Sequence, residues 1–154
     1  MPVSTDDYGA VIFQMGPRTR GTMTQVSAGM KNRLSIEIYG SESSAAWDQE
    51  RPDELWIGPR NTGYRVVLND PSLAAAGAPP YADMPAGHSE GYDNTLKEVF
   101  GRFYASIKAP DCRPEYPQFR DGLRQLTILQ AELESHRARA WVELPPPCED
   151  GTQC

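Results

Sequence analysis

The apolar residues of this chain keep two different periods in two different stretches, and that switch restricts the fold more than any other feature. Up to residue 68, short runs of β-forming residues alternate with turn residues; from Tyr92 onward, apolar residues recur at every third or fourth position. A period of two belongs to strands, and a period near 3.6 belongs to amphipathic helices. The runs Tyr8 to Met15, Gly21 to Ala28, Asn32 to Tyr39, Ser44 to Gln49, Leu55 to Gly58 and Gly63 to Leu68 predict an antiparallel meander. Pro17, between Gly16 and Gly21, presets one turn dihedral and marks the first hairpin. The run from Asn32 alternates cleanly, with Leu34, Ile36 and Ile38 on a face expected to be buried and Arg33, Ser35, Glu37 and Tyr39 on the other.

Residues 69 to 91 are rich in Pro, Ala and Gly and read as a long loop, with a short helical turn around Ser72 to Ala76. Leu96, Val99, Phe100, Phe103 and Ile107 then build one helical stripe, with Asp93 or Asn94 as N-cap and Pro110 as the stop. A second helix is expected from about Pro117 to Arg139, with Phe119, Leu123, Leu126, Leu129 and Leu133 on one side. Ala140 to Leu144 reads as a last short strand, and Pro145-Pro146-Pro147 ends ordered structure. Strands first and helices afterwards predict an α+β domain: an open-faced, mostly antiparallel sheet with helices packed on one face.

Composition narrows the functional classes. A chain of 154 residues has room for one domain and one core, here residues 1 to 144, followed by a disordered Pro-rich tail over 145 to 154. Gly and Pro supply 27 residues, so short elements and many turns are expected. A formal charge of −6 with no clustered basic face argues against nucleic acid as a partner. Cys112, Cys148 and Cys154 are odd in number and do not suggest a disulfide framework. No signal-peptide pattern and no apolar run of about 18 residues is present, so no membrane partner is expected and the chain reads as cytoplasmic. Thr5-Asp6-Asp7-Tyr8 leads straight into a strand, which suits an internal start better than a natural amino terminus.

Few motifs carry chemistry. There is no Gly-x-Gly-x-x-Gly and no phosphate-cradling P-loop, so no cofactor is expected to bind this chain alone. His88-Ser89-Glu90 lacks the Pro-Cys-x-x-Cys that would complete a zinc site, and no metal is expected. With only His88 and His136 in the chain, no nucleophile-base constellation exists, and no catalytic residue is assigned. Two polar segments stand out. In Pro85-Ala86-Gly87-His88-Ser89-Glu90-Gly91-Tyr92, two Gly residues frame a His at the mouth of a helix; the loop either aims the imidazole at a polar ligand or buries it as a cap. In Gly29-Met30-Lys31-Asn32-Arg33, two cations and an amide suit sugar hydroxyls or a carboxylate, and equally suit a solvated turn. Trp47 and Trp56 read as packing residues.

Taken in order, several segments resemble the C-terminal domain of the Gfo/Idh/MocA oxidoreductases. They are Ser27 to Leu34, Glu37 to Ser41, Ala46-Trp47, Glu50-Arg51-Pro52, Pro85 to His88, Glu90-Gly91-Tyr92, Tyr116 to Gly122, Glu134-Ser135 and Trp141-Val142, which together span about residues 6 to 144. Ser43 stands where relatives often carry a second turn Gly, and Asn94 where an acidic residue is frequent.

The resemblance implies the substrate-binding and oligomerisation half of an NAD(P)-dependent sugar or polyol oxidoreductase, whose N-terminal Rossmann domain and proton-transfer residues are missing from these 154 residues. It implies substrate contacts from Lys31 and Asn32, extended to Arg33, His88 and Tyr92, with NAD or NADP serving the full-length family. Its expected partners are a sugar or polyol, the missing Rossmann domain and a second subunit meeting the open sheet face. Catalysis by this chain alone is not expected. The alternative is a truncated, non-enzymatic module that binds a ligand or partner through the exposed sheet.

Overall fold

In a computed structural model of the chain, residues 6–29, 31–73, 84–109 and 113–146 are described. Cys112, Cys148, Cys154, Met30, Pro110 and most of the Pro-rich tail lie outside them, as do residues 74–76 of the expected helical turn. The element order is six strands, a 3-10 turn over Pro71–Leu73 and two α-helices, and the fold is α+β with antiparallel sheets, as the change of period predicts. The chain divides into two compact units, one drawn from Met1–Gln25 and Gly101–Cys154 and the other Val26–Phe100.

The second unit carries the longer sheet, β3 (Ser35–Tyr39), β4 (Ser43–Asp48), β5 (Glu54–Pro59) and β6 (Arg65–Leu68), paired in that order and antiparallel throughout. Directly opposed residues share a face. Ile36, Trp47, Leu55 and Val67 therefore form one row across all four strands, with Ile38, Ala45, Ile57 and Arg65 in the row beside it. The other face carries Glu37, Ala46, Trp56 and Val66. The alternation read from Leu34 to Tyr39 is borne out, but its burial is not, since Leu34, Ile36 and Ile38 all remain exposed. No residue among those described is fully buried, so they do not close the single core that length suggested. A sheet face is covered only when a second layer lies on it, and alternation alone does not supply that layer.

The first unit carries β1 (Tyr8–Met15) and β2 (Thr19–Val26), which form a separate two-stranded sheet. The expected single meander is thus two sheets. Strand β2 starts two residues earlier than expected because the turn needs only Gly16 to Arg18, with the Gln14 side-chain amide donating to the Gly16 carbonyl at 3.0 Å. After β2, Gly29 takes φ +99°, outside the β region, and the strand run is interrupted before β3. The ring of Phe13 lies over Gly21, where an added Cβ would stand 2.2 Å from the ring tip.

Helix α1 (Tyr92–Lys108) and helix α2 (Phe119–Ala138) match the two apolar stripes. The N-cap of α1 is neither Asp93 nor Asn94. Gly91 precedes the helix, and the Asn94 side-chain oxygen reaches back to accept its N–H at 3.1 Å, the task an acidic residue would perform there. In α2, Asp121 does the same for the Gln118 N–H at 2.7 Å. Beyond its first turns α1 belongs with the 113–116 segment, where Arg102 pairs with Glu115 at 2.8 Å and the rings of Phe103 and Tyr116 meet edge-on. Arg139 ends α2 in the left-handed region, φ 53°.

The strand expected over Ala140 to Leu144 does not form. The Ser135 hydroxyl donates to the Ala140 carbonyl at 2.7 Å, and Arg124 donates to the Pro145 carbonyl at 2.6 Å. Polar groups of α2 take carbonyls that a neighbouring strand would otherwise need.

Candidate functional site

All five residues singled out from sequence lie in the second unit, and all are exposed. Their placement follows from strand register. The 31–33 segment enters β3, and the Leu34 carbonyl accepts the Gln49 N–H at 2.9 Å. Arg33 pairs with Asp48 at 3.0 Å. That end of β3 therefore adjoins the turn between β4 and β5. The turn is closed by hydrogen bonds of its own: Arg51 N–H to Asp48 C=O at 2.9 Å, Glu54 N–H to Arg51 C=O at 3.1 Å, and Glu50 N–H to the Asp48 side chain at 3.0 Å. Asn69, just past β6, donates its N–H to the Asp53 carbonyl at 2.8 Å.

The His88 loop reaches the same turn. Its residue Ser89 donates from Oγ to Asp53 Oδ2 at 2.5 Å, across 36 residues of sequence. Within the loop, the His88 N–H donates to the Pro85 carbonyl at 3.1 Å, and Gly87 at φ +83° supplies the left-handed residue that this type II turn requires. The Met84 N–H donates to Glu90 Oε1 at 2.7 Å. Tyr92 opens α1 immediately after the loop. Arg33 is thus placed beside the β4–β5 turn by its pairing with Asp48, with Lys31 and Asn32 just before it in the chain, while the loop bearing His88 is tied to that turn by Ser89. Sequence reasoning missed Asp48, Asp53 and Ser89, and no local signal marks them.

The electrostatics of this end of the sheet are mixed. The Asp48 carboxyl is held below its ordinary value, first by the Glu50 N–H and then by the Arg33 guanidinium. Arg33 is consequently a partly engaged cation, with one nitrogen committed to Asp48. Trp47 donates from Nε1 to the Pro52 carbonyl at 2.9 Å, while Trp56 stacks on Tyr64 at 5.1 Å and carries the Arg51 guanidinium 5.8 Å from its ring centre. Both tryptophans serve packing, as their sequence setting suggests.

A recess of about 190 Å³ lies here, lined by Glu50 to Glu54 and Ser89. Small-molecule sites typically occupy about 300–1,000 Å³. This recess is therefore smaller than such sites, and its lining is a hydrogen-bonding wall. At the far end of the sheet a second recess, about 210 Å³, is lined by Tyr39 to Ser44, Gly58 and Arg60. There the Tyr39 hydroxyl donates to Glu37, which raises the phenol above its ordinary value.

The described residues do not fit a dinucleotide. Every strand pair of the longer sheet is antiparallel, and both helices carry an acid in their first turn, Asp93 and Asp121. Those carboxylates oppose a phosphate at either helix N-terminus. Among the described residues no group of three or more His, Cys, Asp or Glu could hold a metal ion. No described helix is long and apolar enough to cross a membrane.

No family model matches the chain. Among solved structures, an oxidoreductase domain protein from Kribbella flavida is 28% identical with a TM-score of 0.78, over 95% of this chain and 40% of that one. The class of protein whose fold this chain shares is therefore an oxidoreductase. More particularly, the chain is 28% identical to the levoglucosan dehydrogenase of Pseudarthrobacter phenanthrenivorans over 94% of its own length. A levoglucosan dehydrogenase solved with NADH and L-sorbose is 25% identical with a TM-score of 0.77, over 94% of this chain. The chain spans 37% of the length of the Pseudarthrobacter enzyme and 39% of the solved levoglucosan dehydrogenase chain, well under half of each.

Proposed function

We propose that this chain is the C-terminal, substrate-facing and subunit-pairing part of a Gfo/Idh/MocA-type oxidoreductase acting on a sugar or polyol with NAD or NADP. The observation that carries the reading is near-complete coverage of this chain, against well under half of a relative named for sugar dehydrogenation. The wall at the β4–β5 end agrees with it: Lys31 and Arg33 donate, the Asn32 amide both donates and accepts, and vicinal hydroxyls need both kinds of partner. His88 and Tyr92 complete the set from the neighbouring loop and helix start. The nucleotide cradle and the proton-transfer groups belong, in this proposal, to a part of the enzyme outside these 154 residues, so no chemical step is assigned here. The apolar row of Ile36, Trp47, Leu55 and Val67, in which Ile36, Leu55 and Val67 are exposed, is the surface on which subunits would pair.

Isothermal titration of this polypeptide with NADH, NADPH and a panel of sugars and cyclitols tests the division of labour. Weak sugar binding without nicotinamide binding is expected. Tight binding of NADH or NADPH by this chain alone would overturn the proposal.

A further inference from the structure

Three bonds that shape the His88 loop are local. The turn from Pro85 to His88, the Met84 to Glu90 closure and the Gly91 to Asn94 bond each span six residues or fewer, so they give the loop a form without fixing where that form sits on the sheet. The hydrogen bond from Ser89 to Asp53 is of another kind. It joins groups 36 residues apart at 2.5 Å, in the range of a hydroxyl bonded to a carboxylate, where such bonds are roughly twice as strong as neutral ones.

Its acceptor is well fixed. The Asp53 backbone carbonyl accepts from Asn69 at 2.8 Å, and the turn just before it carries its own backbone bonds, so the carboxylate projects from a braced hairpin. Its donor is the residue next to His88. An adjacent pinned side chain removes the loop's freedom to swing as a unit, because any such swing must break the Ser89 bond or distort the turn at Gly87, whose φ of +83° only glycine adopts without strain.

We infer that Asp53 is a positioning residue: acting through Ser89, it sets where His88 stands relative to Lys31 and Asn32 at the β4–β5 end of the sheet. The inference rests on the reading above that His88 faces the substrate, and it adds Asp53 and Ser89 to the site through their bond to each other.

The chain contains two histidines, His88 and His136, so proton NMR of the imidazole C2–H gives two resonances, with His136 on α2 as an internal reference. Ser89→Ala and Asp53→Ala should each shift and broaden the His88 resonance and leave that of His136 in place. Each should also weaken binding of L-sorbose and myo-inositol to this chain by on the order of tenfold, the scale of one lost hydrogen-bonded contact. Ser89→Thr, which keeps the hydroxyl, should restore both readouts. The double variant should do no more than either single, since both break one bond. An unmoved His88 resonance in Ser89→Ala, or fully additive effects in the double variant, would overturn the inference. His88→Ala is the separate control for the site: sugar binding at the unchanged level there removes the substrate role of His88 and with it the positioning role, while the resonance shifts still report the loop contact itself.

Discussion

The guanidinium of Arg33 stands 3.0 Å from the carboxylate of Asp48, joining the approach to β3 to the last residue of β4. Asp48 also accepts the Glu50 N–H at 3.0 Å, so one carboxylate ties strand entry and hairpin turn together. The candidate site is built on that junction.

Acid should loosen the junction. Asp48 has its folded value lowered from the ordinary 3.8, so its contribution to stability is complete above that value and is lost as pH falls through the lower folded one. Circular dichroism between about pH 6 and about pH 2 should show Asp48→Asn with a smaller loss of stability on acidification than the parent chain. Identical acid limbs for the two proteins would exclude the coupling.

Lys31→Ala, Asn32→Ala and His88→Ala, made singly, should each weaken sugar binding roughly tenfold, the equivalent of about 1.4 kcal/mol for one lost polar contact. In the longer enzyme the same changes should raise KM or lower turnover. Unchanged affinity in all three would remove the assignment of this end of the sheet.

Gly21→Ala should destabilise the β1–β2 hairpin by about 1 kcal/mol, because its Cβ would meet the Phe13 ring and force it off the neighbouring strand. The midpoint of urea unfolding, or hydrogen exchange across residues 8–26, would register the loss. Pairing the change with Phe13→Leu should recover part of it.

Trp47→Phe keeps an aromatic ring in the row of Ile36 and Leu55 but deletes the Nε1 donor to Pro52. A cost of about 1 kcal/mol is expected from the lost hydrogen bond. Amide exchange should quicken in the β4–β5 turn, with β6 much less affected.

Much of the architecture was legible locally. Six strands and two helices follow from side-chain period together with the turn residues between runs: Ile36 and Ile38 two apart, or Leu96, Val99, Phe100 and Phe103 three and four apart, settle which backbone form presents one apolar face. Residue types also marked Lys31, Asn32, Arg33 and His88 as polar groups capable of holding a hydroxylated ligand, and the family resemblance added Tyr92. Period does not report partners. Ala140 to Leu144 reads as a short strand and forms none, since a strand exists only against another and α2 takes the Ala140 and Pro145 carbonyls. The splitting of the meander into two sheets, the exposure of Leu34 and Ile36, and the service of Asn94 to Gly91 all depend on neighbours that sequence order does not name.

The sequence by itself determined the order of the six strands and two α-helices and the apolar stripe of each helix, because these arise from contacts within a few residues. Only the tertiary structure decided that residues 31–33 and the His88 loop meet at one turn. That meeting depends on register and on the Ser89 to Asp53 bond across 36 residues, and such long closures are set by the cooperative fold as a whole.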